Sequence, residues 1–557
     1  MHDVLRSFAR YLKGNSFITR EGELLCRREP MLKLRRLSIE GPVVDQEFLK
    51  KQKSLRTLLL VDNLVSDFSD FLSNVLLSFT CLRTLDLCKS NISSLPDSFC
   101  GLTHLRFLDV ARTKLKILPD SIGNLRKLVY LNLGSCKMLF VIPSCIVNLL
   151  ELRFLNLYDT NIKVLPVGLR NLEKLVELYG FKLYKTSSEG HGSLEDLETM
   201  SQLSKLELCS LENVFDITVA KKANLKGKIN RKELIFYYTL IQGCQVPKPF
   251  EEKKAALDIL NALLPPPSLE ILKIKGYFGH ELPNWLHVGK GLSKLENLRF
   301  LELVECECFS ELPSFGELPN LDYLRIKGAI SVIKIGQEFL LNKDHTRTEV
   351  SHSSILPFPK LDELEFHGMP HWAEWMWEEE QPAMPKLKKL FIEACPELSS
   401  LPKGFLQHAT SLEFLDINAV EQIKSLENIQ SVKDIRVFDN TNLERISNLP
   451  NLSFILISNC PSLKILENLK PFHKMELWDL QMETLPEYLR MAVPEKLRVW
   501  CMKKLILKIT SPEEGTSEWQ KFKHINVVKI YSYDESLYAI YQKSPFSFTT
   551  NVDSNSE

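Results

Sequence analysis

Neither charge prevails in this chain of 557 residues: 70 lysines and arginines stand against 70 aspartates and glutamates. A general nucleic-acid or polyanion binder needs a basic footprint, so the balance argues against that class. Basic spots such as Lys50, Lys51 and Lys53 read as solvated faces. No stretch reaches the ~18 uncharged apolar residues of a membrane span. Asp3, Arg6, Arg10 and Lys13 occupy the place where the apolar core of a secretory signal would lie. The thirteen cysteines are odd in number and scattered, with no CxxC pair. They read as reduced thiols in the cytosol or nucleus, where the sequons at Asn91 and Asn451 would stay bare. GxxxxGK(S/T), GxSxG and HExxH are all missing, so no phosphate loop, nucleophile elbow or zinc-protease helix is expected. Cys306 and Cys308 are too close for a zinc knuckle, and His367 and His371 have no cysteine pair nearby. The sequence therefore predicts no enzyme, no cofactor and no metal site.

What the chain does have is a period. Leu82 to Leu87 (LRTLDL), Leu105 to Val110 (LRFLDV), Leu128 to Leu133 (LVYLNL) and Leu152 to Leu157 (LRFLNL) start 23, 23 and 24 residues apart. A fixed period in this range headed by LxxLxL is the signature of a leucine-rich repeat. Each such repeat closes on Leu/Ile-Pro, at Pro96, Pro119, Pro143 and Pro166. Proline lacks an N–H and fixes φ, which suits the turn that leaves the strand. The segments that follow, such as residues 120–128, fit short helical or irregular returns. The expected fold is an α/β leucine-rich-repeat solenoid, or horseshoe, with a parallel concave sheet and a short N-terminal helix.

That helix is read over residues 3–13, where Val4, Leu5, Phe8, Tyr11 and Leu12 recur at helical spacing behind Asp3 as N-cap. Regular repeats are expected over 31–180. Over 181–268 the period breaks, with a polar loop, a weak strand at Leu206–Leu208 and a helical segment from Lys253 to Leu264 that ends at Pro265. Repeats return at Leu269, Leu298, Leu321, Leu361, Leu387, Leu412 and Leu452 with irregular spacing, so 269–540 reads as irregular repeats and a C-terminal cap. A last strand is read at His524–Ile530, and 541–557 as a disordered tail.

In a strand LxxLxL the leucines point inward and the x positions outward, so a repeating chain writes ladders of chosen residues on one surface. One ladder is Thr84, Phe107, Tyr130, Phe154; its neighbour is Asp86, Asp109, Asn132, Asn156. Exposed aromatics beside polar groups suit partner binding, so Phe107, Tyr130, Phe154, Asp109, Asn132 and Asn156, with Arg106 and Arg153 beside them, form the candidate protein-binding face. The alternative for the aromatics is mutual stacking that only stiffens the sheet. Cys136, Cys306, Cys395 and Cys460, with Asn440, share one slot three residues after the strand, where this repeat class uses Asn or Cys to tie the turn. The tryptophan-rich run from His371 to Glu380 reads as a packed loop whose tryptophans are also available as partner anchors.

Several phrases are more specific than leucine spacing. Met1-His2-Asp3 before a helix resembles the MHD motif of plant nucleotide-binding leucine-rich-repeat immune receptors. In that family the motif closes the winged-helix end of the NB-ARC nucleotide switch, and its histidine faces the ADP phosphates. Leu211-Glu-Asn-Val214, Ala220 to Leu225, Pro265 to Leu272, Glu281 to Leu286, Ile335 to Phe339, Phe358 to Phe366 and Trp519-Gln-Lys-Phe522 resemble the same family, in its coiled-coil class. The resemblance implies that residues 1–30 are the remnant of the winged-helix end and that the chain is the repeat portion of such a receptor. With no P-loop in this sequence, His2 and Asp3 match the motif without a nucleotide pocket to complete. The implied function is non-catalytic recognition in the defense response. The implied partners are a pathogen effector, a guarded host protein or an NB-ARC domain held in autoinhibition, with no nucleic acid and no membrane span. A rival from another class is a scaffold or ubiquitin-ligase adaptor.

Overall fold

The computed structural model of the chain describes residues 16–19, 34–40, 46–61, 75–185, 192–228, 230, 232–239, 249–287, 295–341, 356–511 and 515–552. The chain forms two compact units, Met1–Gln245 with Asp258–Leu269, and Val246–Leu257 with Glu270–Glu557.

In the first unit the four regularly spaced LxxLxL segments make three-residue strands: Thr84–Asp86, Phe107–Asp109, Tyr130–Asn132 and Phe154–Asn156. These strands are parallel and in register, so Leu85, Leu108, Leu131 and Leu155 stack as one row. All four are at most 1% exposed. The leucine period thus does what its spacing requires, since each leucine finds its partners one repeat away. After the strand a non-glycine residue turns the chain with positive φ, at Lys89, Arg112, Ser135 and Asp159. Prolines 96, 119 and 143 then sit extended before short 3-10 turns, Asp97–Gly101, Asp120–Asn124 and Ser144–Asn148. Phe99, Ile122 and Ile146 on those turns close the core opposite the leucine row.

The sheet continues past the regular repeats. Glu177–Lys182, Lys205–Cys209 and Glu233–Tyr237 follow in parallel, so part of the irregular region still builds sheet. The register slips between Leu178 and Phe181. Gly180 permits this with φ 71°. A Cβ there would lie 2.5 Å from the backbone of Leu157 and Tyr158, so only glycine fits the bulge. The helical segment is observed as Phe250–Ala262.

In the second unit eleven parallel strands run from Ile271–Lys275 to Val527–Ser532. A smaller parallel sheet joins Ser425–Glu427, Arg445–Ser447 and Ile465–Glu467. Among the described residues no helix is long and apolar enough to cross a membrane.

Two boundaries need correction. Within 1–30, the strand Ser16–Thr19 pairs in parallel with Arg36–Glu40, so this piece lies on the repeat sheet rather than in a winged helix. The helix at 3–13, and His2 and Asp3, lie outside the described residues. The tail from 541 is not disordered as far as Val552. Tyr538–Gln542 and Ser547–Thr550 close the sheet as an antiparallel hairpin. Ala539 and Tyr541 are buried, and the Tyr541 hydroxyl donates to the Lys523 carbonyl at 3.0 Å. The polar residues 543–544 and 547 around the turn are exposed and give the segment its tail-like composition.

Candidate protein-recognition face

The first outward position of successive strands places Phe107, Tyr130 and Phe154 side by side. Their rings stack at 4.1 Å between centroids, 9° from parallel, in both pairs. Tyr179, on the next strand, meets Phe154 at 6.0 Å and 51°. The three stacked rings are half-buried, so each gives part of its surface to its neighbours and keeps the rest for solvent. Burial, with Asp109 and Asp86 nearby, pushes the Tyr130 phenol well above its ordinary pKa, so it stays neutral. Stacking and exposure coexist here: the strip is stiff, and it is an accessible apolar surface.

The polar ladder does something else. Asp86 and Asn132 are nearly inaccessible and Asp109 is fully buried. Each side-chain oxygen accepts from its own backbone two residues on: Asp86 from Cys88 at 3.0 Å, Asp109 from Ala111 at 2.9 Å, Asn132 from Gly134 at 3.1 Å and Asn156 from Tyr158 at 2.9 Å. Asn132 also donates to Asp109, and Asn156 to Asn132, each at 2.9 Å. Asp109 and Asn132 are therefore tied into the turns and withdrawn from the surface, while Asn156, tied in the same way, is half-buried. A short Asp or Asn at a strand end bends back to its own i+2 amide where the chain turns. The same ladder explains the single potential metal trio among the described residues, Asp86, Cys88 and Asp109, whose ligand atoms lie within 4.8 Å of one another. Both carboxylates there already accept turn amides.

A third row completes the face. Arg106 and Arg153 are exposed, and so are Arg35, Arg56 and Arg83 at the same repeat position. Backbone hydrogen bonds fix the alignment: Arg56 N–H donates to Arg35 O, Arg83 to Arg56 O and Arg106 to Arg83 O, each at 2.8 Å. Val129 takes the place between Arg106 and Arg153, through donations at 2.8 Å on each side. None of the five arginines is ion-paired to a described carboxylate. Arg35, Arg56 and Arg83 are additions to the predicted face. Their signal was present in the sequence as the Leu-Arg pairs at 34, 55 and 82, which precede each strand just as those at 105 and 152 do.

The slot three residues after the strand is structural, as its repetition implies. Cys136 donates to Val110 O at 3.1 Å, and Thr113 fills the preceding rung by donating to the same carbonyl at 2.8 Å. Asn440 spans its turn completely, donating to Ile417 O and Phe438 O at 2.8 Å and accepting from Val420 N–H at 2.9 Å. Burial pushes the thiols of Cys306 and Cys395 up to about 12 and that of Cys460 to about 11, so none is a ready thiolate. In the tryptophan-rich run, Trp372, Trp375 and Trp377 are at most 6% exposed, which makes it a packed loop and removes those rings as partner anchors.

The distinctive family phrases are packing devices. Trp285 and Phe358 are buried. Asn213 donates to Leu183 O at 2.9 Å. In Trp519-Gln-Lys-Phe522, the Trp519 indole donates to Ile509 O at 3.1 Å. Lys521 donates to Leu485 O at 2.7 Å, while neighbouring Glu518 accepts from Leu485 N–H at 2.8 Å. One buried ion pair thus grips both polar groups of a single residue and docks the last helix.

A family model described as a leucine-rich repeat region matches residues 55–446. The chain is 30% identical over 285 residues to the disease resistance RPP13-like protein 1 of Arabidopsis thaliana, covering 50% of this chain and 26% of that protein. It is 28% identical over 273 residues to the disease resistance protein RGA4 of Solanum bulbocastanum, covering 49% and 25%. The chain thus matches about a quarter of the length of these relatives, so what the whole proteins do is not transferred with the fold. A solved leucine-rich-repeat protein of Leptospira interrogans aligns with a TM-score of 0.47 and 21% identity, over 69% of this chain and 84% of that one. By its repeat register and by the family model, which spans well over half its length, this chain belongs to the leucine-rich repeat region family.

Proposed function

We propose that the chain is a non-catalytic protein-recognition module of plant defense, and that its aromatic and arginine rows take the acidic surface of a protein partner. The observation that carries this reading is the pairing of a stacked, part-exposed strip, Phe107–Tyr130–Phe154, with exposed arginines that form no ion pair with a described carboxylate. Rigid aromatics lose little conformational entropy on binding, and Arg, Tyr and Trp dominate binding hot spots. An unpaired arginine row steers an acidic partner and sets its register. The disease-resistance relatives support the immune setting, with an NB-ARC switch domain, a pathogen effector or a guarded host protein as the partner, in the cytosol or nucleus.

The test changes Phe107, Tyr130 and Phe154 together to Ser and measures folding and association with a separately expressed NB-ARC domain of a relative. Normal folding with association weakened at least roughly ten-fold is expected, since hot-spot truncations exceed ~1 kcal/mol each. Normal folding with unchanged association would remove this contact. Collapse of the fold would return the strip to a stiffening role.

A further inference from the structure

We propose that the last parallel strands of the second unit form a second docking surface, built for an extended acidic protein segment that carries apolar side chains. The strands Phe472–Trp478, Pro494–Cys501 and Val527–Ser532 place Trp478, Trp500 and Tyr531 in register, and the antiparallel strand adds Tyr538 opposite Tyr531. Trp478 and Trp500 approach to 4.8 Å between centroids, and Trp500 and Tyr531 to 6.0 Å. Trp478 is 45% exposed, and Leu480 just beyond it 47%. A tryptophan this open stands out in a chain where Trp285, Trp372, Trp375 and Trp377 are all buried. Large aromatics left in solvent, here along the C-terminal ends of the strands, mark contact sites.

Charge chooses the occupant. On the same outward face, Lys474 pairs with Lys496, and Glu476, Arg498 and Lys529 form the next row. Four cations therefore lie on this face with Glu476 as the one carboxylate in the rows, and Lys496 also reaches Glu495, next to it in the chain, at 4.0 Å. Glu476 is consumed within the sheet: it is 7% exposed, ion-paired to Lys474 and 3.7 Å from Arg498. Lys529 is ion-paired to no described carboxylate. The surface thus asks for negative charge beside apolar groups. Single-stranded nucleic acid is the rival for any basic aromatic strip, but successive bases need parallel platforms. Here the two tryptophan rings are inclined by 53°, and Trp500 and Tyr531 by 31°. The inclined rings offer no such platform, and their exposed edges suit apolar side chains laid across them. The strands are already paired on both edges, so recognition falls to side chains.

The test exploits where the tryptophans are. The first tryptophan of the chain is Trp285, so the N-terminal arginine and aromatic face carries none, and an indole signal reports the second unit alone. The full chain is titrated with a peptide of about twelve residues in which glutamate alternates with leucine and proline, and acrylamide quenching of tryptophan is followed. Two controls are the same peptide with glutamine for glutamate and an oligothymidylate of matched charge. The glutamate peptide is expected to shield the quenchable tryptophans saturably, and to bind more weakly as salt rises. The double variant Lys496→Glu, Lys529→Glu is expected to lose roughly ten-fold or more of that affinity with its melting temperature unchanged. Trp478→Ser with Trp500→Ser is expected to abolish the shielding. Equal shielding by the glutamine peptide, equal or tighter binding of the oligonucleotide, or full affinity in the folded charge-reversed variant would each overturn the proposal.

Discussion

Leu131→Ala is the sharpest single perturbation of the repeat core. Its side chain is fully buried and lies in register between Leu108 and Leu155, which are also inaccessible. The substitution removes three carbon atoms from a site whose neighbours on both sides are strands held by ladder hydrogen bonds. Loss of transfer free energy is about 2.4 kcal/mol at ~0.8 kcal/mol per methylene. A rigid surrounding collapses little, so a cavity term brings the total to roughly 3–4 kcal/mol. In a solenoid each repeat is coupled mainly to its neighbours, so this loss is expected to be local. Native-state hydrogen exchange resolved by segment checks both points. Amides of Phe107–Asp109, Tyr130–Asn132 and Phe154–Asn156 should lose protection by that amount, while Asp434–Phe438 in the other unit should keep theirs. A loss below about 1 kcal/mol at the mutated strand would refute the packing argument, and equal loss in both units would refute the coupling argument.

Three further outcomes are expected. Lacking a phosphate loop, the chain should give no heat on calorimetric titration with ATP or ADP, and micromolar binding would contradict this. Lys521→Met strands the buried Glu518 carboxylate and should cost about 3 kcal/mol in chemical denaturation, while adding Glu518→Gln should restore most of it. Burial raises the Asp416 carboxyl to about 6 from 3.8, against the pull of Arg436 and with Glu393 and Asp434 adding to the rise. The sign follows: the folded state holds this proton more tightly than the unfolded chain, so the group's contribution to stability falls as pH climbs from about 4 to about 6. A shift of that size carries up to ~3 kcal/mol, and solvent screening of this half-buried group reduces it to about 1 kcal/mol. Asp416→Asn should therefore stabilise the protein near pH 7 and be neutral below pH 4, and a melting advantage independent of pH would rule the idea out.

The strand rows were legible because leucines can recur at a fixed interval only if each packs on the next. The aromatic and arginine rows follow from the same register. The polar ladder was misread because alternation along a strand says which way a side chain starts, and not where it ends. Asp109 leaves the outward face because its oxygen reaches the Ala111 amide across the turn at Arg112. The strands Phe472–Trp478 and Pro494–Cys501 are hidden for another reason. Met475 with Leu477, and Leu497 with Val499, keep the inward alternation but drop the leading leucine spacing, so only the two-residue period marks them. Trp478 and Trp500 lie on these two strands.

The central claim is that the N-terminal aromatic and arginine face is where this module meets a protein. Hydroxyl-radical footprinting of the full chain with and without a bound NB-ARC domain tests it most directly, because Phe, Tyr and Leu are all reactive and the rival surfaces are known. Phe107, Tyr130 and Phe154 should become protected, while the exposed apolar residues of the returns, Ile117, Val141 and Val167, stay as reactive as before. Protection of Ile117, Val141 and Val167 with the three rings unchanged would contradict the account.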